Sequence, residues 1–146
     1  MMNSLIMIII MLISGLLSTM NIWADKISDI NWSLNDLYMS VLMTGWMLLF
    51  MGIYMQNKID ILIGIIFIFV AFICIRKQIF ISENEFYKGM IPHHSMAVHM
   101  SKKLLEKNID KNYSMNEDST RFVESIVKGQ TKEIDWMKHY VNNQFK

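Results

Sequence analysis

Residues 59–77 read IDILIGIIFIFVAFICIRK, nineteen residues in which the first seventeen carry one charge, Asp60, near their start and the cations Arg76 and Lys77 close the stretch. A bilayer core about 30 Å thick is crossed by roughly 20 mostly apolar helical residues. The run is therefore read as a membrane-spanning helix over about 59–75, ending where the cations begin. Working outward, residues 37–55 and 4–23 come near the same length and polarity, which makes three predicted spans. The first span has the length of a signal peptide, but it lacks a basic leading region and a clear small-residue cleavage site, so it is taken as an anchor. Trp23, Trp32 and Tyr54 fall where interfacial aromatics are expected.

Charge divides the chain at the same place. Of its fourteen Lys and Arg, only Lys26 and Lys58 precede Arg76, and of its thirteen Asp and Glu, only Asp25, Asp29, Asp36 and Asp60 do. The boundary near Arg76 is a change of solvent, giving a transmembrane region over 1–77 and a polar domain over 78–146. A net charge of +1 with mixed signs offers no basic face for nucleic acid. One cysteine, Cys74, leaves no internal disulfide and no multi-thiolate cluster; buried packing is its expected role. Met39, Met43, Met47, Met51 and Met55 recur every four residues, a slowly drifting stripe on one side of the second span. Packing against lipid or a neighbouring helix is the plainer reading of that stripe, a thioether path for soft metal ions the sharper one.

The polar domain reads as two helices. Ser82 followed by Glu85 forms a capping box, so a helix should begin near Glu83. Phe86, Met90, His93, Ala97, Met100 and Leu104 then recur at alternating spacings of four and three, the seam of a helix packed on another helix, with a kink expected at Pro92. Residues 107–118, including Asp110 and Asn112, have loop character. From about Ser119 a second seam follows in Val123, Val127, Gln130, Ile134, Met137 and Val141. Zipped in opposite directions, the seams place Phe86 near Val141, Met90 near Met137, His93 near Ile134 and Ala97 near Gln130. Such a hairpin buries little alone, so it should complete a bundle by dimerising or by leaning on the membrane helices, and a homo-oligomer is expected.

The chemistry sits in 90–100, MIPHHSMAVHM, with three His and three Met in eleven residues. At 100° per residue, Met90, His93, Met96 and Met100 share about a third of the helix circumference, with His94 beside Met90 and His99 pointing away. Thioethers select soft Cu(I) and imidazole suits copper, zinc, nickel or iron, so the mixed set points first to copper, with zinc or nickel next. For a lone His on a seam, the plainer reading is a core histidine bonded to Gln130 or Glu133. The second adjacent His, Met90 one turn away and Met137 expected opposite favour a metal, with Gln130 and Glu133 then orienting the imidazole. His99 and His139 read as solvated surface residues. No Glu-x-x-His, His-Glu-x-x-His, phosphate loop or serine triad is recognisable, so the expectation is a protein without catalytic activity.

The run Phe86-Tyr87-Lys88-Gly89-Met90-Ile91-Pro92-His93-His94 to Ala97, with Gln130, Glu133, Ile134 and Met137, resembles the bacterial family called domain of unknown function 305, over about residues 82–142. Trp32-Ser33, Tyr38-Met39, Leu42-Met43 and residues 51–55 are similar to its membrane-anchored branch. The resemblance implies a ferritin-like helical fold, and copper binding or tolerance has been attributed to some members. By motif position Met90, His93, His94 and Met137 match the family pattern, with Met96, His99 and Met100 as further candidates.

The side of the membrane is contested. Lys26, Arg76, Lys77 and Lys88 against Lys58 favour a cytoplasmic polar domain by the positive-inside rule. The resemblance implies an extracytoplasmic one, and a Met/His site without thiolates keeps soft-metal affinity where cysteine would oxidise. The expectation adopted is an all-α, membrane-anchored metal-binding protein with its polar domain outside the cytoplasm. Copper is its expected ion, exchanged with a donor or acceptor that the sequence does not name. A structural or interaction module without metal is the main alternative, and a metal-dependent redox enzyme the weaker one.

Overall fold

The computed structural model describes residues 4–109 and 114–143, and over these the chain is all helical: α1 (Ser4–Leu17), α2 (Leu34–Tyr54), α3 (Lys58–Lys77), α4 (Glu83–Ile109) and α5 (Glu117–Asn143), with short 3₁₀ turns at Met20–Trp23 and Ile27–Asp29. Asp110 and Asn112 of the expected loop lie outside the described residues. Two compact units emerge. One takes the chain up to Thr19 together with Ser33–Ser82; the other takes Met20–Trp32 together with the chain from Glu83 onward. The short segment 20–32, drawn from sequence as part of the membrane region, thus groups with the polar helices.

In the apolar unit α1 packs on α2 and α2 on α3. Ser4–Trp23, Leu34–Tyr54 and Lys58–Lys77 are each long and apolar enough to cross a membrane. The start of α2 and both ends of α3 have a chemical reason. The backbone N–H of Ser33 donates to the Asp36 carboxylate at 2.9 Å at the start of α2. Asn57 Oδ1 accepts from the Ile59 N–H at 3.1 Å at the start of α3. Gln78 takes a left-handed conformation, φ 48°, and Ile79 N–H returns to the Cys74 carbonyl to close α3.

Small residues set the packing of α2. Ser40, Thr44, Gly45, Leu48 and Gly52 form its buried side. The Ser40 and Thr44 hydroxyls bond back to the carbonyls of Asp36 and Ser40, at 2.8 Å each, so neither is orphaned among apolar neighbours. Close approach of small residues is how helices associate where lipid tails supply no hydrophobic drive. The methionine stripe lies away from this seam, with Met39, Met43 and Met55 exposed and Met47 and Met51 half-buried.

In the polar unit α4 and α5 pack along their length, and the turn at Met20–Trp23 packs on α4. The expected antiparallel register holds: the rings of Tyr87 and Tyr140 lie 4.7 Å apart, and His94 Nδ1 lies 2.9 Å from Glu133 Oε2. The α5 seam matches expectation, with Val123, Ile134, Met137 and Val141 buried. That of α4 requires correction. Its buried residues are Ile91, Pro92, Ser95, Val98 and Ser101, while Phe86, His93 and Met100 are exposed. The reason is that α4 is covered on two sides, by α5 and by segment 20–32, so one stripe of heptad-like spacing does not describe it. The helix also continues through Pro92 without interruption.

Candidate metal site in the polar helical pair

Ile91, Val98, Ile134, Met137 and Val141 form the core of the pair, with Tyr87, Met90 and Val127 packed against it. Beside this core an open groove of about 350 Å³ runs between α4 and α5. Met90 and His94 line it from α4; Glu133 and Met137 line it from α5. One helical turn separates the two residues on each helix of this quartet, and the antiparallel register brings the turns face to face. Aromatic rings wall one end: Tyr87 meets Trp136 edge-on at 5.3 Å, and Phe86 meets Tyr87 at 5.5 Å. Burial among these rings, with Glu83 alongside, raises the Tyr87 phenol above its usual range.

His94 is the polar centre of the groove. Its Nδ1 is buried and stands at ion-pair distance from the Glu133 carboxylate, though without the alignment of a hydrogen bond. Gln130 Oε1 is likewise buried without a hydrogen-bond partner. With its proton on Nδ1, the nitrogen nearer Glu133, the ring would leave Nε2 with the free lone pair that a metal requires.

His93 is placed differently. It is exposed, outside the groove lining, and its ring meets that of His94 edge-on at 5.9 Å between centroids. Partial removal from water, with His94 as neighbour, lowers its pKa from the ordinary imidazole value. The expectation that Glu133 orients His93 is therefore transferred to His94, 100° further round the helix. Met96 is half-buried, Met100 exposed, and neither lines the groove. His99 turns instead toward segment 20–32, with Nδ1 4.0 Å from Asp25 Oδ1.

Segment 20–32 supplies a polar cluster that the sequence reading assigned no role. Asp29, 2% exposed, accepts from Ser95 Oγ at 2.5 Å and pairs with Lys138 of α5. Ser95 in turn accepts from the Asp25 backbone N–H at 2.8 Å, and Lys102 pairs with Asp25 at 2.5 Å. Burial raises the Asp29 pKa, but the bonds from Lys138 and Ser95 outweigh it, and the carboxyl lies below its usual value. Two acids spaced by four, Asp25 and Asp29, on a short connection whose one cation is Lys26 were the available signal.

The family model for the domain of unknown function 305 matches residues 78–141. An uncharacterized protein of Acanthamoeba polyphaga mimivirus is 43% identical over 111 residues, 73% of this chain and 73% of that protein. The chain belongs to the domain of unknown function 305 family. No solved structure matches it. Neither the family description nor the viral relative carries an activity.

Within this member of the domain of unknown function 305 family, the donor set decides which metals fit. Among the described residues no three His, Cys, Asp or Glu side chains converge as a metal-binding group. A site in the groove must therefore include thioethers, which Met90 and Met137 supply beside the His94 imidazole. Two thioethers and one imidazole fit a soft d¹⁰ ion and suit hard, oxygen-seeking cations poorly.

Proposed function

We propose that the chain is a membrane-anchored protein that binds copper as Cu(I) in the α4–α5 groove, through Met90, Met137 and the His94 imidazole, and hands it on without catalysing a reaction. The supporting observation is the convergence of Met90, His94 and Met137 on one groove, with Glu133 at the imidazole nitrogen that does not ligate. Glu133 orients the ring, and Tyr87 and Trp136 wall one end of the groove. A Met/His site holds Cu(I) where thiolates would be lost to oxidation, which supports a polar domain outside the cytoplasm. The chain acts as a homo-oligomer, embedded in the bilayer by α1, α2 and α3, and exchanges its ion with a donor or acceptor protein.

Cu(I) affinity of the detergent-solubilised full chain, measured against a chromophoric chelator, tests the reading. His94→Ala should weaken binding about tenfold or more, whereas His93→Ala should leave most of it. Equal losses in both variants would mean that the adjacent His pair acts together. Wild-type protein that takes no Cu(I) would overturn the proposal and favour the second reading, a docking surface for an apolar segment. That alternative has its own support in the exposure of Phe86 and Trp136 at the groove, 46% and 56%.

A further inference from the structure

The end of the apolar unit where α2 turns into α3 carries a partly open cavity of about 580 Å³. Ser4 and Met7 of α1, Met51 and Met55 of the α2 end, and Asp60 of α3 line it. Met7 is 7% exposed and Asp60 6%. Asp60 Oδ2 accepts from Asn57 Nδ2 at 2.8 Å, but its Oδ1 is buried with no hydrogen-bond partner.

Asp60 stands in the first turn of α3, where an acid suits the helix dipole, but that role leaves Oδ1 without a partner. The start of α3 is already capped by Asn57, so the helix does not need Asp60 for that purpose. Lys58 also lines the cavity, yet it is exposed and leaves Oδ1 orphaned. An ionisable side chain buried in a membrane-spanning unit is costly to keep and marks a place where a charge is bound. Around it stand three thioethers, neutral and soft. One negative oxygen balances a single positive charge, and thioethers discriminate for a d¹⁰ ion over sodium or potassium, which seek several oxygens.

We infer that this cavity is a binding site for a soft monovalent cation, Cu(I) or Ag(I), with the thioethers of Met7, Met51 and Met55 and Asp60 Oδ1 as donors. It belongs to the apolar unit alone and stands whether or not the α4–α5 groove binds metal. It also gives the methionine stripe of α2 two functions along its length: the upper members face lipid, and the last two face the cavity.

The test uses the full chain in detergent with Ag(I) as probe, in a background carrying Met90→Leu and His94→Ala so that the groove cannot contribute. That background should still bind Ag(I) stoichiometrically, without competition from excess sodium or potassium. Adding Met51→Leu and Met55→Leu should weaken binding about tenfold or more, and Asp60→Asn, which retains the size of the side chain, should weaken it independently. Unchanged melting temperature and elution volume in the Asp60→Asn protein separate lost ligation from lost folding. A background that takes no Ag(I), or one whose Ag(I) binding is indifferent to Met51, Met55 and Asp60, overturns the inference. If wild type binds and the background does not, the groove is the metal site and this cavity is not; if the two bind alike, the reverse holds.

Discussion

Asp29, in the connection between the first two apolar helices, accepts from the Lys138 ammonium across 109 residues of chain, in a setting where the carboxylate side chain is 3% exposed and the lysine 25%. Ser95 donates to the same carboxylate from α4. One buried acid thus ties three separated segments of the polar unit together.

Removing either partner of this pair should be costly, because the charge that stays behind is stranded away from water. Lys138→Ala, which strands the buried Asp29 carboxylate, is expected to destabilise the polar unit by about 3–5 kcal/mol, with Asp29→Ala somewhat less damaging since the Lys138 ammonium it leaves behind reaches solvent. Ser95→Ala, which strips one bond from Asp29 and one from the Asp25 N–H, should cost about 1–3 kcal/mol. Thermal melting in detergent reads the losses. A double variant no worse than Asp29→Ala alone would confirm that the two side chains act as one unit.

The same acid predicts a pH dependence of defined direction. Its folded-state pKa is depressed below the ordinary carboxylate value. The pair's contribution is therefore fully present above the unfolded-state value, about 3.9, and is lost as pH falls through the lower folded-state value, because the unfolded chain takes up the proton first. Melting temperature should hold down to about pH 5 in this respect and fall below about pH 4. In Asp29→Asn that portion of the acid loss should disappear. An identical acid profile in the variant would remove Asp29 from the account.

How much of this was legible beforehand follows from the physics of each element. The three apolar helices were, since length and hydropathy alone specify them, and so was the α4–α5 register, because the Met90–Met137 pairing needs only two seams read in opposite directions. The buried side of α4 was not: Ile91, Ser95 and Val98 face neighbours from different parts of the chain, and Ser95 is buried by partners that periodicity ignores. The same rotation moved the imidazole beside Glu133 from His93 to His94. Asp25 and Asp29 were invisible as structure because their cations lie on α4 and α5, far along the chain.

Trp136 lines the groove beside Glu133 and Met137 and stacks with Tyr140 at 5.8 Å, so it should report the ion directly. Cu(I) or Ag(I) addition is expected to quench part of the indole emission, and Trp136→Phe should remove that response while keeping the aromatic wall and most of the affinity. Quenching that persists in Trp136→Phe would locate the ion near another of the chain's four tryptophans.

Sidedness can be read from one cysteine. In a Cys74→Ser, Lys128→Cys chain, the new thiol stands on an exposed position of α5. A membrane-impermeant maleimide should label it in intact cells if the polar domain is extracytoplasmic. Labelling only after lysis would reverse the topology and restore the inference from Lys26, Arg76, Lys77 and Lys88.

Two glycines should respond to the same substitution with opposite sign. A Cβ on Gly64 would fall 2.7 Å from the Leu49 backbone nitrogen and 2.8 Å from the Gly45 carbonyl oxygen. Both neighbours are backbone, so neither can turn aside as a flexible side chain would, and α2 and α3 must separate. Gly64→Ala is expected to cost about 1–3 kcal/mol, the usual penalty of overpacking. A Cβ on Gly129 meets nothing within 4 Å, and that residue lies inside α5, where glycine's backbone freedom costs about 0.5–1 kcal/mol relative to alanine. Gly129→Ala should therefore raise the melting temperature of the polar unit while Gly64→Ala lowers that of the apolar one. Each unit needs its own probe, helix loss by circular dichroism being sensitive to both. Equal tolerance of the two substitutions would mean that α2 and α3 do not approach as closely as Gly45 and Gly64 permit.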